Sequence, residues 1–143
     1  MIVYTSGTTG QPKGVVLTQY NLMADAEGIS KWHGICKGTV MMCVLPIHHV
    51  NGTVVTIMTS YYAGGQMILN QKFHTDRFFK VLADEKVNIV SVVPTLLQFL
   101  CHDYENKVDS IQDLSILKKT FRHIICGAGP LTCELVSKFE KMF

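Results

Sequence analysis

What this sequence of 143 residues lacks narrows what it can be. It has no uninterrupted apolar run of membrane-spanning length, because the most apolar stretch, Val40 to Met58, is broken by Pro46, His48, His49, Asn51 and Gly52. Its opening residues, Met1-Ile2-Val3-Tyr4-Thr5, contain neither a basic n-region nor a signal-like core. No C-x-x-C pair occurs among Cys36, Cys43, Cys101, Cys126 and Cys133, which are odd in number and sit among apolar neighbours as small buried hydrophobes would. These absences suggest a chain without a transmembrane segment in a reducing, cytoplasmic setting. His33, Cys36, Cys43, His48 and His49 are close in sequence but match no zinc spacing. Charge of one sign is also scarce, with 13 basic against 11 acidic residues and only a loose cluster at Lys118, Lys119 and Arg122. That cluster reads as a solvated face, so no nucleic-acid partner is indicated. Linkers, repeats and low-complexity tracts are missing too.

What is present is an ordinary globular composition, 48% hydrophobic and 17% charged, at the size of one domain. Short apolar or β-branched runs recur at Ile2–Tyr4, Val40–Leu45, Gln66–Leu69, Asn88–Val93 and His123–Cys126, with segments of helical spacing between them. The alternation predicts an α/β fold, a mostly parallel sheet of about five strands with helices on both faces. Thr18 is placed to cap a helix whose buried face runs Leu22, Ala26, Ile29, His33, and Thr75 to cap one that buries Phe78, Phe79 and Leu82. An apolar helix is expected over Val54–Tyr62. A last helix is expected from Gly129-Pro130, with Leu131, Leu135, Phe139 and Met142 on its inner face.

The segment Tyr4-Thr5-Ser6-Gly7-Thr8-Thr9-Gly10-Gln11-Pro12-Lys13-Gly14-Val15 concentrates hydroxyls, glycines and one lysine directly after a strand. By composition it is a flexible strand-to-helix connection. Its chemistry also suits polyphosphate: glycines admit backbone N–H groups to the oxygens, hydroxyls donate, and a cation offsets charge. It is not a Walker A loop, since no G-K-[ST] occurs and Pro12 sits where that motif would open a helix. The string resembles the phosphate-binding loop of the adenylate-forming (AMP-binding) superfamily, which includes acyl-CoA synthetases, peptide-synthetase adenylation domains and firefly luciferase. The resemblance implies that Thr5, Ser6, Gly7, Thr8, Thr9, Gly10 and Lys13 wrap the β- and γ-phosphates of ATP, with Thr8 near Mg2+ and Lys13 among the catalytic groups. Their task would be to steady the departing pyrophosphate.

Leu45-Pro46-Ile47-His48-His49-Val50-Asn51-Gly52-Thr53 joins a buried strand to an apolar helix. Taken alone, His49 reads as a histidine bonded to backbone at a helix entrance. By resemblance it borders the acid substrate and gates access to it, with Val50 beside it, while His48 keeps the structural reading. From Val44 through Lys72 there is no Asp or Glu, so this wall offers no partner to a substrate ammonium group, and an acid without an α-amino group is indicated.

Val92-Val93-Pro94-Thr95-Leu96-Leu97 ends a strand and opens a helix, and reads as core; a similar stretch lines the acyl tunnel in acyl-CoA synthetases, so Pro94 and Thr95 are substrate candidates. Cys126-Gly127-Ala128-Gly129-Pro130-Leu131 is a strand-to-helix turn, similar to the family's Gly-Gly-Ala-Pro-Leu segment with alanine and glycine in swapped order. That likeness implies that the backbone of Gly127, Ala128 and Gly129 packs against adenine and the acyl group. The family's adenine-stacking and magnesium-binding Tyr-Gly-x-Thr-Glu segment, its ribose aspartate and its C-terminal lid domain with the catalytic lysine have no counterpart here. Residues 1–143 are therefore expected to be part of an AMP-binding domain, truncated at both ends and not competent alone. The implied parent is an acid-thiol ligase that uses ATP, Mg2+ and coenzyme A on a carboxylic acid, with fatty acid as first choice. An adenylation domain that loads a carrier protein, or a truncated non-catalytic product, is the alternative.

Overall fold

The computed structural model describes residues 1–7, 10–106 and 117–142. Its centre is a four-stranded parallel sheet in the order β4-β3-β5-β6, formed by β3 (Val40–Cys43), β4 (Gln66–Leu69), β5 (Ile89–Val92) and β6 (His123–Cys126). The registers Met42↔Val90 and Val90↔Ile124 run through its middle. The two central strands are apolar on nearly every residue because both faces are covered. The period of two divides them: Met42, Val90 and Val92 pack with Phe78, Leu82, Leu97 and Leu100, whereas Met41 and Ile89 pack with Ile35, Ile29 and Ala63. Thus α3 (Thr75–Asp84), α4 (Pro94–Asn106), α5 (Leu117–Thr120) and α6 (Cys133–Met142) supply one layer. The first helix α1 (Gln19–His33), with the loop that follows it, belongs to the other.

The run at Ile2 joins no parallel sheet. Strand β1 (Ile2–Thr5) pairs antiparallel with β2 (Lys13–Val16), a strand the sequence reading does not contain. The loop read as a strand-to-helix connection is therefore the tip of a hairpin. Helix α1 follows, with the expected Thr18 cap: its Oγ1 accepts from the Asn21 backbone N–H at 3.1 Å while Asn21 Oδ1 accepts from Thr18 N–H at 3.0 Å.

Three expected details differ. The Thr75 hydroxyl is not a cap but donates to Asp103 of α4, and His74 precedes the helix without a side-chain capping bond. The apolar helix begins earlier, as a π-helix over Asn51–Met58 that runs into α2 (Thr59–Tyr62), where Thr59 Oγ1 donates to the Val54 carbonyl five residues back at 2.9 Å. Helix α6 starts at Cys133, since Thr132 Oγ1 accepts from Leu135 N–H at 3.2 Å, and Gly129-Pro130-Leu131 belong to the preceding turn. No helix among the described residues is long and apolar enough to cross a membrane.

At the N-terminal ends of the strands, Asn88 does work that its position in the sequence does not advertise. Its Oδ1 accepts from Val40 N–H at 2.7 Å and its Nδ2 donates to the Thr120 carbonyl at 2.8 Å, which aligns β3, β5 and the entry to β6. With that end fixed, the open C-terminal ends of the strands are left to bind.

Candidate functional site

Four chain segments leave the sheet at its C-terminal edge. From β3 comes the Leu45–His49 loop, whose shape is set by close backbone approach. His49 N–H donates to the Pro46 carbonyl at 3.0 Å, Thr53 N–H to the His49 carbonyl at 3.0 Å, and the Thr53 hydroxyl to the Ile47 carbonyl. Gly52 is buried under this loop; a Cβ there would collide with the Pro46 carbonyl oxygen and lie 3.0 Å from that of Leu45. The helix behind is pinned to the sheet by Ser91 Oγ of β5, which donates to Asn51 Oδ1 at 2.6 Å. Burial pushes the Cys43 and Cys126 thiols up, so both stay protonated and act as packing groups.

At the end of β5, Pro94 is buried at the first position of α4 and Thr95 is exposed beside it. Past β6, Gly127 is half-buried, and Gly129 faces Pro94, where a Cβ would stand in ordinary van der Waals contact, 3.4 Å from its Cδ. Between them Ala128 holds φ +61°, the left-handed region that favours glycine. The swapped order noted in the sequence thus places an alanine where the backbone asks for glycine. Beyond β4 comes the loop Asn70–His74, tied to β3 by Asn70 N–H donating to the Cys43 carbonyl at 3.0 Å.

Three of these segments, after β3, β4 and β5, line an open cleft of about 870 Å3, and the Gly127–Gly129 turn lies outside its lining. Its walls are mainly apolar, with Val44, Leu45, Ile47, Phe73, Val93 and Leu96 prominent, and its polar groups include His48, Lys72 and Thr95. Of the substrate residues singled out in the sequence, Thr95 lines it and Pro94 does not. The ring of His49 is exposed and, with Val50, lies outside the lining; His48 is the histidine on the wall.

The hairpin tip has its own geometry. Gly7 has φ +63° and a Cβ there would collide with the Gln11 carbonyl oxygen, so the loop folds tightly back on itself. Thr5 Oγ1 donates weakly to the Lys13 carbonyl at 3.5 Å, and Thr5, Ser6, Gly10 and Lys13 are exposed. Thr8 and Thr9 lie outside the described residues. Exposed hydroxyls and a lysine on a glycine-tightened turn suit a ligand rich in oxygen anions. Among the described residues no three His, Cys, Asp or Glu side chains converge, and Thr8, where the metal site is expected, lies outside those residues. Sequence reasoning missed Asn51, Gly52, Ser91 and Asn88; the close approach behind Gly52 leaves no periodic signature, and the others are polar residues inside apolar runs.

A parallel sheet with a glycine turn, a proline-led helix and a histidine loop at its C-terminal edge defines an α/β ligand-binding domain. Over residues 1–143 the chain matches the AMP-binding enzyme family, and it belongs to that family. It is 31% identical to the mitochondrial malonate–CoA ligase of Homo sapiens, across 99% of this chain and 26% of that one. With the long-chain-fatty-acid–CoA ligase of Bacillus subtilis it shares 32% identity, across 99% of this chain and 24% of that protein. The structure of ATP-bound MatB from Rhodopseudomonas palustris superimposes with a TM-score of 0.82 at 26% identity, covering 98% of this chain and 26% of that chain. The chain thus spans about a quarter of the length of these relatives.

Proposed function

We propose that this chain is part of an AMP-forming acyl-CoA ligase and carries that enzyme's triphosphate loop and one wall of its acid site. The observation that carries the reading is the Thr5–Lys13 hairpin tip, an exposed turn of hydroxyls and lysine tightened at Gly7, in a chain of the AMP-binding enzyme family. ATP is the expected nucleotide, a use supported by the ATP-bound neighbour. In the first half-reaction a carboxylate oxygen attacks the α-phosphorus, the bond from that phosphorus to the β-bridging oxygen breaks, and pyrophosphate leaves. In the second, the coenzyme A sulfur attacks the acyl carbon, the bond to AMP breaks, and the thiol proton passes to solvent.

The loop's residues act on the first step. Lys13 and the hydroxyls of Thr5 and Ser6 offset charge on the leaving pyrophosphate, and the backbone at Gly7 and Gly10 approaches its oxygens. Gly127, Ala128 and Gly129, without bulky side chains, present backbone to the adenine and acyl groups. His49 borders the reacting carboxylate. The acid is one without an α-amino group and with an apolar body, a fatty acid being the simplest: the cleft walls are apolar, Val44 to Lys72 contains no Asp or Glu, and one relative is a long-chain-fatty-acid–CoA ligase. In the complete enzyme, Lys13→Ala and Thr8→Ala should slow acid-dependent pyrophosphate exchange at least about tenfold, one charge-assisted bond's worth. Thiol transfer from preformed acyl-adenylate should fall much less. Equal loss in both half-reactions would refute this role for the loop.

A further inference from the structure

The loop between β4 and α3 brings Lys72, His74 and Arg77 around a second hollow of about 250 Å3. It shares Val44, Asn70, Gln71, Lys72 and Phe73 with the large cleft, so the two hollows adjoin across a common wall that carries Lys72. Neither lining contains an Asp or Glu. The described lysine ion pairs lie elsewhere, at Lys31–Glu27, Lys80–Asp84 and Lys138–Glu105; the neighbouring Asp103 accepts the Thr75 hydroxyl and lies 3.8 Å from His102 Nδ1. The apolar cleft therefore ends at a wall bearing Lys72, with His74 and Arg77 on the other side of it and no Asp or Glu among the described lining residues.

The strand order fixes where that end lies. Gly127 leaves β6, Thr95 follows β5, His48 follows β3 and Lys72 follows β4, so these groups succeed one another along the edge in the order of the sheet. Three strand intervals at about 4.8 Å separate the glycine turn from the basic hollow by on the order of 14 Å. A group held there is far from a carboxylate that reacts beside the glycine turn.

We infer that the basic hollow binds a second anionic group of the acid substrate, at the far end of an apolar stem lying in the cleft. The inference rests on the ligase reading and narrows its substrate class, from a fatty acid in general to a long acid with a second anionic group at its ω end, dicarboxylate or ω-sulfonate. Lys72, on the wall common to both hollows, and Arg77 beyond it are specificity residues. Their charge meets the remote anion and takes no part in the bonds that form and break.

The test uses the complete enzyme containing this chain, with acid-dependent pyrophosphate exchange measured for dodecanoate and for dodecanedioate. The wild type should favour dodecanedioate in kcat/KM. Lys72→Ala and Arg77→Ala should each lower the dioate-to-monoacid selectivity about tenfold, the weight of one charge-assisted hydrogen bond, and Lys72→Arg should restore it. Both side chains are exposed, so the fold tolerates the changes. Equal preference for the two acids in the wild type overturns the inference while leaving the ligase reading intact. So does a rise in KM for coenzyme A with acid selectivity unchanged, which would assign the hollow to the thiol substrate's phosphates. Exchange with no acid at all refutes the ligase reading, and the inference with it.

Discussion

Gly52 and Ala128 show how single backbone positions shape the candidate site. A Cβ at Gly52 would meet backbone atoms of Leu45 and Pro46, which cannot rotate away as a side chain could. Gly52→Ala should therefore cost about 2 kcal/mol, read as a lower urea midpoint. The opposite change is expected at Ala128: held at φ +61°, it pays the left-handed penalty, and Ala128→Gly should stabilise by about 1 kcal/mol. At the far end of the sheet, His33 Nδ1 lies 3.0 Å from His123 Nε2, and Arg122 donates to the His33 and Gly34 carbonyls at 2.9 and 3.1 Å. Burial and then the Arg122 charge hold His33 below the usual imidazole value; burial, His33 and Arg122 do the same for His123. Because the folded values are depressed, the unfolded chain binds protons first as pH falls. Stability from this pair is thus present above about pH 6.5 and lost below it, down to the folded values. The urea midpoint should hold from about pH 8 to 7 and decline as pH falls below about 6.5, and His123→Gln should flatten that decline. A midpoint independent of pH over that window in the wild type would contradict the assignment.

At the scale of elements, what the sequence made legible depended on whether a signal was local. Thr18 was readable as a cap because capping needs only its neighbours, and the Thr18–Asn21 pair is present. Thr18→Ala should cost about 1 kcal/mol in unfolding free energy. Thr75 carried the same local signal, yet its hydroxyl goes to Asp103, 28 residues away, which no window around Thr75 contains. Strand β2 was missed because Lys13-Gly14-Val15-Val16 is short and opens on a lysine and a glycine, and because a loop rich in glycine after a strand suggests a helix next. The start of α6 was placed early for a related reason: Gly129-Pro130 looks like a helix opening, but the left-handed Ala128 turns the chain away and Thr132 caps it later. The π-helix has no sequence signature in its apolar run. Of the candidate site, the loop segments were marked in the sequence by their turn chemistry, whereas their order along the edge came only with the strand order of the sheet. That His48 stands on the wall of this cleft was not legible, since it depends on which way the Leu45–His49 loop rolls over Gly52.

For the molecule as a whole, the division into a sheet covered on both faces and a separate hairpin implies unequal local stability. The central strands are almost without solvent contact, with Met41, Ile89, Val90 and Val92 all at 0% exposure, so breaking their hydrogen bonds requires undoing both helical layers. In the hairpin, Tyr4 is 71% and Val16 70% exposed, and a lone two-stranded hairpin is marginal in water. Opening β1 from β2 uncovers little that is not already wet. In residues 1–143 taken by themselves, amide hydrogen exchange should therefore be faster by orders of magnitude across β1 and β2 than across β3 and β5, whose exchange should track global unfolding. The same measurement bears on function. If the hairpin tip holds the phosphates of ATP, adding ATP to the complete enzyme should slow exchange at Ser6, Gly7, Gly10 and Lys13, because backbone N–H groups that point at phosphate oxygens are no longer free to exchange. The interior strands should respond far less, since their protection is already near its ceiling. Protection confined to the strands, with the tip exchanging as before, would remove the hairpin from the nucleotide site and leave its glycines as turn residues alone.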